Sequence, residues 1–486
     1  MVSIINTLRP QILSSIYITV ISALCCLTVN ANEVELDTLE ISSKDSNPYD
    51  SQQIAISSQD FAFGDLTSVL SRIPGFQMQS SGGFGAYSSF ILRGSTARSV
   101  PVYFDGVKVN DPLNGGINLS TFPLWSLESV DVYKSMIPAH LANNSGTAVI
   151  NLKSQTIQEK QDFKISGGSF GYKSIAANAA NSNLLISAEK LNADNDFEYE
   201  HNNQTPLNEN DDYSTTRSNN QVNRNFVLIK GQRIISDSKL NFMTIHRNYE
   251  SGVSNNLNHA KKANIQQEST ILSAQVISSR WQFYLNADIA NHTYDDSQNE
   301  IGLSKDSQNV KYNKYELKAV NKEYFNNLLS TLSVQASREN SKIEDVLYDT
   351  TSNKSIEADY LSFAHSLKIG ESLKFNNTWL SRNSNDSYQT YNSSIGYYFK
   401  ESDWLKSDIS LSKKSRLPTI SELYVNQGTL SANPNLKPER FYEINTRAKI
   451  SFPYSGAQID LYLRDSNDTI IYTFDTRGVG SPSNEG

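Results

Sequence analysis

The most regular pattern in the chain is an alternation of apolar and polar residues in its C-terminal two thirds. Clear examples are residues 281–289, 442–450 and 459–464. Alternation with period two predicts β-strands with one apolar and one polar face. Segments of about ten residues of this kind are typical of membrane-spanning β-barrels. A soluble β-sandwich shows the same alternation, so the pattern by itself leaves both architectures open.

The N-terminal third contains shorter and more mixed elements. Leu66, Val69, Leu70 and Ile73 recur at helical spacing and predict a helix over residues 63–73, which Pro74-Gly75 ends. Within residues 89–111, we expect strands at 90–92 and 100–104, with Arg93 in the first strand. The dipeptide Asp105-Gly106 predicts a tight hairpin turn into a third strand at 107–109. The pattern predicts a small α+β unit ahead of the long strands.

The first 31 residues have the features of a secretory signal peptide. Arg9 precedes a mostly apolar stretch at residues 12–27, and Val-Asn-Ala at 29–31 offers small residues for cleavage after position 31. Cys25 and Cys26 are the only cysteines and both lie in this leader, so the mature chain would have no disulfide. A retained membrane anchor is the alternative, although the apolar stretch is just shorter than the ~18 residues that a span needs.

Composition and charge argue against several functions. The formal net charge of −8 gives no basis for binding nucleic acid. The six histidines are scattered, with no pair at helical spacing, and no nucleophile elbow or paired-carboxylate motif occurs. We therefore expect no enzyme. No later stretch could cross a bilayer as a helix, so an exported chain that spans a membrane would do so as a β-barrel.

Two groups of motifs resemble the TonB-dependent outer-membrane receptors. In the first, LSRIPGF at 70–76 is followed by Ile91-Leu92-Arg93-Gly94 and then Asp105-Gly106, as in the plug domain of that family. In the second, RLPTISELY at 416–424 and NPNLKPE at 433–439 resemble a motif late in the family's barrel. The two groups lie far apart and in the family's order, so the resemblance covers essentially the whole mature chain.

The resemblance implies a mainly β fold, in which a transmembrane antiparallel β-barrel, of 22 strands in the family, surrounds an N-terminal α+β plug domain. We place the plug at residues 49–156 and the barrel at 157–486. Arg93 is then expected to face acidic residues of the barrel wall and to help hold the plug. The ligand-facing apical loops would contain Gly82, Gly83, Phe84, Tyr87, Asn110, Asp111 and Asn114.

A short segment near the mature N-terminus predicts a protein partner. Residues 32–48 are polar, but Leu39 and Ile41 alternate with polar neighbours and could add as a strand to another protein. The segment resembles the family's TonB box, which consists here of Asp37, Thr38, Leu39, Glu40 and Ile41. The implied partner is TonB with its inner-membrane energising complex. An unstructured leader with a chance apolar pair is the alternative.

Long polar stretches predict extracellular loops at 194–225 and 345–359. The first contains a group of acidic residues that includes Asp194, Asp196, Asp211 and Asp212. Carboxylates are ligands that calcium prefers, and the resemblance places a calcium-binding loop of the cobalamin receptor in a similar position. The spacing matches no fixed motif, so a solvated acidic loop is the alternative. We expect no other cofactor.

The implied function is energy-coupled uptake of a scarce ligand, such as a ferric siderophore or cobalamin, through the lipid of the outer membrane of a Gram-negative bacterium. At ~20 residues per strand and loop, residues 157–486 supply about 16 strands, and the sequence ends without a terminal aromatic residue. We therefore expect a C-terminally truncated barrel, with a smaller barrel as the alternative. The other functions left open are a binding or adhesion barrel without transport and an inactive truncated receptor.

Overall fold

A computed structural model describes most of the chain from residue 52 onwards. The described residues are 52–63, 65–142, 146–203, 205, 207–255, 260–301, 305–347, 350–399, 404–426, 430–452, 455–476 and 478–486. The predicted signal peptide (1–31) and the predicted TonB box (37–41) lie outside these residues, and both stay predictions. In outline, a small α+β unit packs against one face of a large antiparallel sheet.

The small unit contains two short helices and two small sheets, and we call it the plug. Its helices are α1 (Ser58–Phe63) and α2 (Leu66–Leu70). Its strands are β1 (Gln52–Ala55), β2 (Phe76–Ser80), β3 (Ser88–Leu92), β4 (Ser95–Thr96), β5 (Val102–Phe104), β6 (Val107–Lys108), β7 (Leu127–Tyr133) and β8 (Val149–Ser154). One sheet has the order β1-β7-β8-β5-β6, in which β5 and β8 are parallel, and the other has the order β2-β3-β4.

The helix predicted over residues 63–73 is shorter in the structure. It begins after Asp65, whose carboxylate accepts the backbone N–H of Ser68 at 2.8 Å, while the Asp65 N–H donates to the Ser68 hydroxyl at 3.1 Å. This capping box fixes the start of α2 at Leu66. The apolar residues at helical spacing are buried in the plug core, namely Leu66, Val69, Leu70 and Ile73.

Two hairpin turns of the same type shape the plug sheets. Asp105-Gly106 joins β5 to β6 with φ of +46° and +82°, as the sequence predicts for a type I′ turn. Arg93-Gly94 joins β3 to β4 in the same way, with φ of +49° and +77°. The prediction that Arg93 lies in the strand is therefore wrong. A type I′ turn requires positive φ at both central positions, so the strand ends one residue earlier, at Leu92.

The large sheet has 15 strands and is antiparallel throughout. Its strands follow one another in the sheet in the order in which they occur along the chain. Its strands are β9 (Lys160–Gly167), β10 (Lys173–Ala180), β11 (Leu184–Ala193), β14 (Val222–Ile235), β15 (Ser238–Gly252), β16 (Asn264–Ile277), β17 (Trp281–Asp296), β18 (Asp306–Phe325), β19 (Leu328–Leu347), β20 (Thr350–Ile369), β21 (Leu373–Asn383), β22 (Ser387–Tyr398), β23 (Leu405–Arg416), β24 (Glu439–Ser451) and β25 (Gly456–Asn467).

The connections of the large sheet divide its two ends into unlike regions. Because successive strands are antiparallel, the connections lie at the two ends in turn. The turns 181–183, 236–237, 278–280, 326–327 and 370–372 share one end, which we call the turn end. The long connections 194–221, 253–263, 297–305 and 417–438 share the other, which we call the loop end.

Several short elements lie outside this sheet. The hairpin of β12 (Glu198–His201) and β13 (Tyr213–Thr216) lies in connection 194–221, and helix α3 (Ile420–Tyr424) lies in connection 417–438. The last two strands, β26 (Thr469–Phe474) and β27 (Gly480–Glu485), pair with each other. The hairpin β12–β13 gives the predicted acidic loop some structure of its own.

The predicted loop at 345–359 is wrong, because most of these residues belong to β19 and β20. Each of these strands is 20 residues long, and their ladder continues to the pair Leu347 and Thr350. The side chains in this stretch are mostly polar on both faces, so the period-two alternation is not visible in the sequence. Cross-strand hydrogen bonds nevertheless satisfy the backbone and extend the hairpin.

Over much of the large sheet, the face towards the plug is polar and the opposite face is apolar, which is the reverse of a soluble protein's polarity. Leu317 is 61% exposed, whereas its neighbours Glu316 and Lys318 are 7% and 4% exposed and face the plug. Leu285 and Leu463 are likewise exposed, at 56% and 69%. A soluble sandwich would bury its apolar face, so the structure favours the barrel alternative.

Among the helices that the structure describes, none is long and apolar enough to span a membrane.

Candidate functional site

Arg93 reaches from the plug to the wall that the large sheet forms. Its Nη1 donates a hydrogen bond to Oδ1 of Asn445 in β24 at 2.6 Å, and its Nη2 lies 3.7 Å from Oδ1 of Asp460 in β25. The guanidinium carbon lies 4.9 Å from the ring centroid of Tyr462. Burial lowers the pKa of Arg93, and the nearby Asp460 carboxylate opposes this effect. The left-handed turn therefore aims this guanidinium at strands β24 and β25.

A second set of charged groups binds the plug backbone beside Arg93. Arg464 donates to the carbonyl oxygen of Arg93 at 2.9 Å and to the Ser95 hydroxyl at 2.6 Å. Lys414 donates to the carbonyl oxygen of Lys134 at 2.9 Å. Both cations also bind the buried carboxylate of Glu443, at 2.5 Å and 2.7 Å. Charge-assisted hydrogen bonds of this kind are stronger than neutral ones, so the plug is attached firmly at strands β23–β25.

The glycine-rich plug loop at residues 82–87 lies against the loop end of the sheet. Asn195 accepts the Phe84 N–H at 2.8 Å and donates to the Phe84 carbonyl oxygen at 3.0 Å. A Cβ at Gly83 would lie 2.6 Å from Cγ of Asn195, so this approach requires glycine. The Phe84 ring stacks on Tyr172 with centroids 4.6 Å apart. Among the predicted apical residues, Phe84 and Tyr87 stay partly exposed, and Gly82 has open space around it.

The polar side chains of the second predicted apical loop mainly shape the loop itself. Asn110 is buried, accepting the Val102 N–H at 2.6 Å and donating to the Gly115 carbonyl oxygen at 3.0 Å. Asn114 accepts the Gly116 N–H at 2.7 Å. These two amides therefore hold the loop backbone, and sequence reasoning assigned them to the ligand without this structural role.

Asp111 links the same loop to the wall. One carboxylate oxygen accepts the N–H groups of Leu113 and Asn114 at 2.8 and 2.9 Å, and the other lies 3.0 Å from Nδ1 of His292 in β17. Burial raises the pKa of Asp111, but His292 and the two backbone donors outweigh this effect and hold that pKa below its usual value. Asp111 is therefore a charged contact between plug and wall.

Helix α3, from connection 417–438, packs on the same plug loop. The Ser421 N–H donates to the Leu113 carbonyl oxygen at 2.9 Å. Glu422 accepts a hydrogen bond from Arg416 at 2.9 Å and lies 3.6 Å from Nη1 of Arg98 in the plug. An apolar cluster surrounds this contact and contains Leu113, Val310, Ile343, Ile356, Ile420 and Val425. The sequence identified 416–424 as a motif but predicted no role for it.

Two cavities lie where the plug meets the wall towards the loop end. The plug–wall cavity, of about 1040 Å³ with the space at its open mouth, is lined by residues that include Lys108, Asp288, Glu339, Tyr360 and Arg382. The apical cavity, of about 530 Å³ on the same measure, is lined by residues that include Tyr87, Asp111, Asn118, Arg247 and His292. Both are lined by charged and hydrogen-bonding groups.

The predicted calcium ligands lie in and around the β12–β13 hairpin. Asp211 accepts the Thr205 hydroxyl at 2.8 Å. The Asp194 N–H donates to the Phe170 carbonyl oxygen at 3.0 Å. Within the described part of the chain, no three His, Cys, Asp or Glu side chains come together as a metal site. Calcium binding by Asp194, Asp196, Asp211 and Asp212 stays a prediction.

Comparison with known proteins identifies the plug. The family model described as "TonB-dependent Receptor Plug Domain" matches residues 48–149. The vitamin B12 transporter BtuB of Vibrio vulnificus (strain YJ016) is 31% identical over 110 residues, which are 22% of this chain and 18% of BtuB. The BtuB of Photobacterium profundum is 26% identical over 117 residues, which are 24% of this chain and 19% of that protein. The chain therefore matches about a fifth of the length of these relatives.

Solved structures extend the similarity to most of the chain. The copper transporter OprC superimposes with a TM-score of 0.66 over 85% of this chain and 70% of its own, at 12% identity. The siderophore receptor PirA of Acinetobacter baumannii has the same TM-score over 90% of this chain and 76% of its own, also at 12% identity. At such identity the likeness shows the fold alone. Residues 48–149 therefore match the plug domain of TonB-dependent receptors, and most of the chain is similar in fold to the solved structures of OprC and PirA.

Proposed function

We propose that this chain is an outer-membrane receptor of a Gram-negative bacterium that takes up a scarce small molecule with energy supplied through TonB. The observation that carries the proposal is the plug itself, which is held by charged contacts against the polar face of a sheet whose opposite face is apolar and exposed. Such an arrangement suits a plugged membrane barrel. Strands β11 and β14–β16 differ, because they also present apolar side chains to the plug core, among them Leu185, Phe226 and Ile245.

The cavities indicate where the ligand would enter. Both lie between plug and wall towards the loop end, and the plug loops 82–87 and 110–116 contact residues of that end directly. The relatives named above include a vitamin B12 transporter and a siderophore receptor, which supports a ferric siderophore or cobalamin as the class of cargo. Bound ligand would change the contacts of these loops and thereby shift the plug between two states.

The partner protein TonB would bind the segment that precedes the plug in the sequence. Residues 37–41, with Leu39 and Ile41 on one side of an extended segment, would pair with TonB by strand addition. Energy from the inner membrane would then displace part of the plug and let the ligand pass.

Deleting residues 37–41 tests this mechanism. In cells without other receptors for these ligands, we expect the deletion to abolish energised uptake of labelled cyanocobalamin or of a labelled ferric siderophore, while binding to the cell surface persists. A deletion of the same length at residues 43–47, in the same polar segment, is the matched control and should keep uptake. Unchanged uptake after deletion of 37–41 would contradict the proposal. Surface binding with no uptake by the unaltered chain would instead favour a binding or adhesion barrel.

A further inference from the structure

Arg382 presents an unoccupied hydrogen-bonding edge at the plug–wall cavity. Its Nη1 donates to the Pro418 carbonyl oxygen at 2.8 Å, and its guanidinium carbon lies 4.5 Å from the ring centroid of Tyr388. These contacts fix the position of the guanidinium. The side chain is only 3% exposed, yet Nε and Nη2 have no hydrogen-bond partner among the described residues. Burying a hydrogen-bond donor without a partner costs free energy, so an acceptor group of a ligand that binds Nε and Nη2 would be stabilised here.

Arg338 on the same sheet shows which chemical group the Nε and Nη2 atoms of an arginine can bind together. Arg338 binds the carboxylate of Asp359 through Nε at 2.7 Å and Nη2 at 2.9 Å. This is the side-on, bidentate geometry in which a planar guanidinium matches a planar oxyanion. Arg382 offers the same two N–H groups, and no carboxylate of the described residues forms an ion pair with it.

The other charged groups of the cavity are mostly neutralised by neighbours. Lys314 lies 3.2 Å from Glu316 and 3.4 Å from Glu339, and Arg416 is bound to Glu422. Lys108 of the plug is different, because its ammonium group has neither an ion pair nor a hydrogen bond within the described part of the chain. The cavity therefore contains two cations, Arg382 and Lys108, that form no ion pair with the residues that the structure describes.

Asp288 is a carboxylate of the same cavity with an unpartnered oxygen, but it is too far away to serve Arg382. It lies on β17 and Arg382 lies on β21, four strands along the sheet. At about 4.8 Å per strand, this separation is about 19 Å along the wall. Asp288 therefore does not compensate the charge of Arg382.

We infer that the plug–wall cavity receives a ligand that carries a small oxyanion, a carboxylate or a phosphate, and that Arg382 binds this group through Nε and Nη2. Lys108 contributes a second positive charge from the plug side of the cavity. The inference rests on the proposed function for the route by which the ligand arrives, and it adds the chemical class of the ligand.

Anion binding to the full chain in detergent micelles tests this inference, with citrate as the carboxylate probe and inorganic phosphate as the other. Titration calorimetry at low ionic strength should show that Arg382→Gln weakens the affinity for at least one probe by about tenfold or more. Arg382→Lys should weaken it less, since the charge remains but the fork is lost. Arg338→Gln is the matched control, because it removes an exposed guanidinium from the same wall, and should change affinity less than about twofold.

The probes also separate the two sources of the oxyanion. An effect of Arg382→Gln on citrate alone assigns a carboxylate ligand, and an effect on phosphate alone assigns a phosphate ligand. Absence of binding to the unaltered chain, or equal affinities of the unaltered chain and Arg382→Gln, would overturn the inference. If heat-modifiable gel mobility shows that Arg382→Gln does not fold, Lys108→Gln and Arg382→Lys decide, and unchanged affinity in both would overturn it.

Failure of this inference and failure of the proposed function are distinguishable. If uptake depends on residues 37–41 but anion affinity is unchanged in the Arg382 variants, only the inferred ligand class is wrong. If anion affinity depends on Arg382 but uptake is unchanged by the deletion of residues 37–41, only the proposed transport mechanism is wrong.

Discussion

At the scale of single residues, the plug depends on a few buried charges that cross to the wall. Arg93 combines a left-handed backbone with a guanidinium that contacts Asn445, Asp460 and Tyr462. Removing one partner from a buried charged contact leaves the other partners desolvated without compensation. Arg93 is therefore the most informative position at which to test how tightly the plug is held.

Truncating Arg93 should destabilise the protein strongly. We expect Arg93→Ala to lower the free energy of unfolding in urea by roughly 3 kcal/mol, because Asp460 and Asn445 would stay buried without the guanidinium. The control Arg338→Ala removes an exposed pair with Asp359 and should cost less than about 1 kcal/mol. Equal losses in the two variants would show that the buried contact adds nothing.

A second residue-scale prediction concerns acid stability. Hydrogen bonds from Arg72 and from the Ser57 N–H lower the pKa of Asp60 from 3.8 to about 2. The folded chain thus holds this proton less tightly than the unfolded chain, so the stabilisation is complete above about pH 4 and is lost as the pH falls to about 2. Acidification over this pH range should lower the free energy of unfolding of the unaltered chain more than that of Asp60→Asn. Because Arg72 is half exposed, we expect the difference between the two decreases to be only about 1 kcal/mol.

The control for this acid dependence is Asp237→Asn, at the turn between β14 and β15, which takes no part in the contact of Asp60 with Arg72. That variant should keep the full decrease over the same pH range. A decrease in Asp60→Asn equal to that of the unaltered chain would contradict the assignment.

At the scale of elements, helix α3 and plug loop 110–116 form one packed contact. Gly115 has φ of +71°, and a Cβ there would lie 2.7 Å from the Thr419 methyl group. The contact brings connection 417–438 directly onto the plug. A ligand that moves either element would thereby move the other.

Gly115→Ala should disturb this contact, whereas Gly82→Ala should not. Both glycines have positive φ, so both variants carry the same kind of backbone strain, but a Cβ at Gly82 meets nothing within 4 Å. We expect Gly115→Ala to lower the free energy of unfolding by about 1 kcal/mol more than Gly82→Ala. The Ser421 amide, which donates to Leu113, should also exchange hydrogen faster in Gly115→Ala. Equal exchange rates in both variants would count against the packed contact.

Sequence patterns predicted the elements better than the contacts between them. The turn at Asp105-Gly106 and the alternating strands follow from local chemistry, because turn type and pleat depend on a few neighbouring residues. The end of β3 was predicted one residue too late, at Arg93, because the apolar residues that precede Arg93 favour a longer strand. The polar hairpin of β19 and β20 was missed because its ladder uses backbone groups. The open edge of Arg382 depends on how Pro418 and Tyr388 contact its guanidinium, which no pattern of apolar and polar residues contains.

At the scale of the whole molecule, the apolar face of the large sheet is its outward surface. That face includes Leu285, Leu317 and Leu463, each more than half exposed. Exposed apolar area of this extent marks a surface that meets another apolar medium. In the proposed setting, this medium is the hydrocarbon of the outer membrane.

Leu317→Arg should therefore block insertion into lipid. A charged side chain at the middle of a barrel's lipid face costs about 2–4 kcal/mol, so the fraction that folds into phosphatidylcholine vesicles should fall by about tenfold or more. Asn327→Arg adds the same charge at the turn after the same strand and should fold like the unaltered chain. Heat-modifiable gel mobility measures the folded fraction, and equal fractions for the two variants would argue against a lipid-facing surface.

Strand β1 is the part of the described plug that a force on the N-terminal segment would reach first. It is four residues long, lies at the edge of its sheet, and pairs with β7, from Gln52 opposite Val132 to Ala55 opposite Ser129. A pulling force on the chain ahead of Gln52 would reach these four residue pairs before the rest of the described plug. Arg93 and Arg464 anchor the plug through hydrogen bonds that do not involve β1. Under tension, the plug would therefore open from its N-terminal edge while its attachment to the wall still holds.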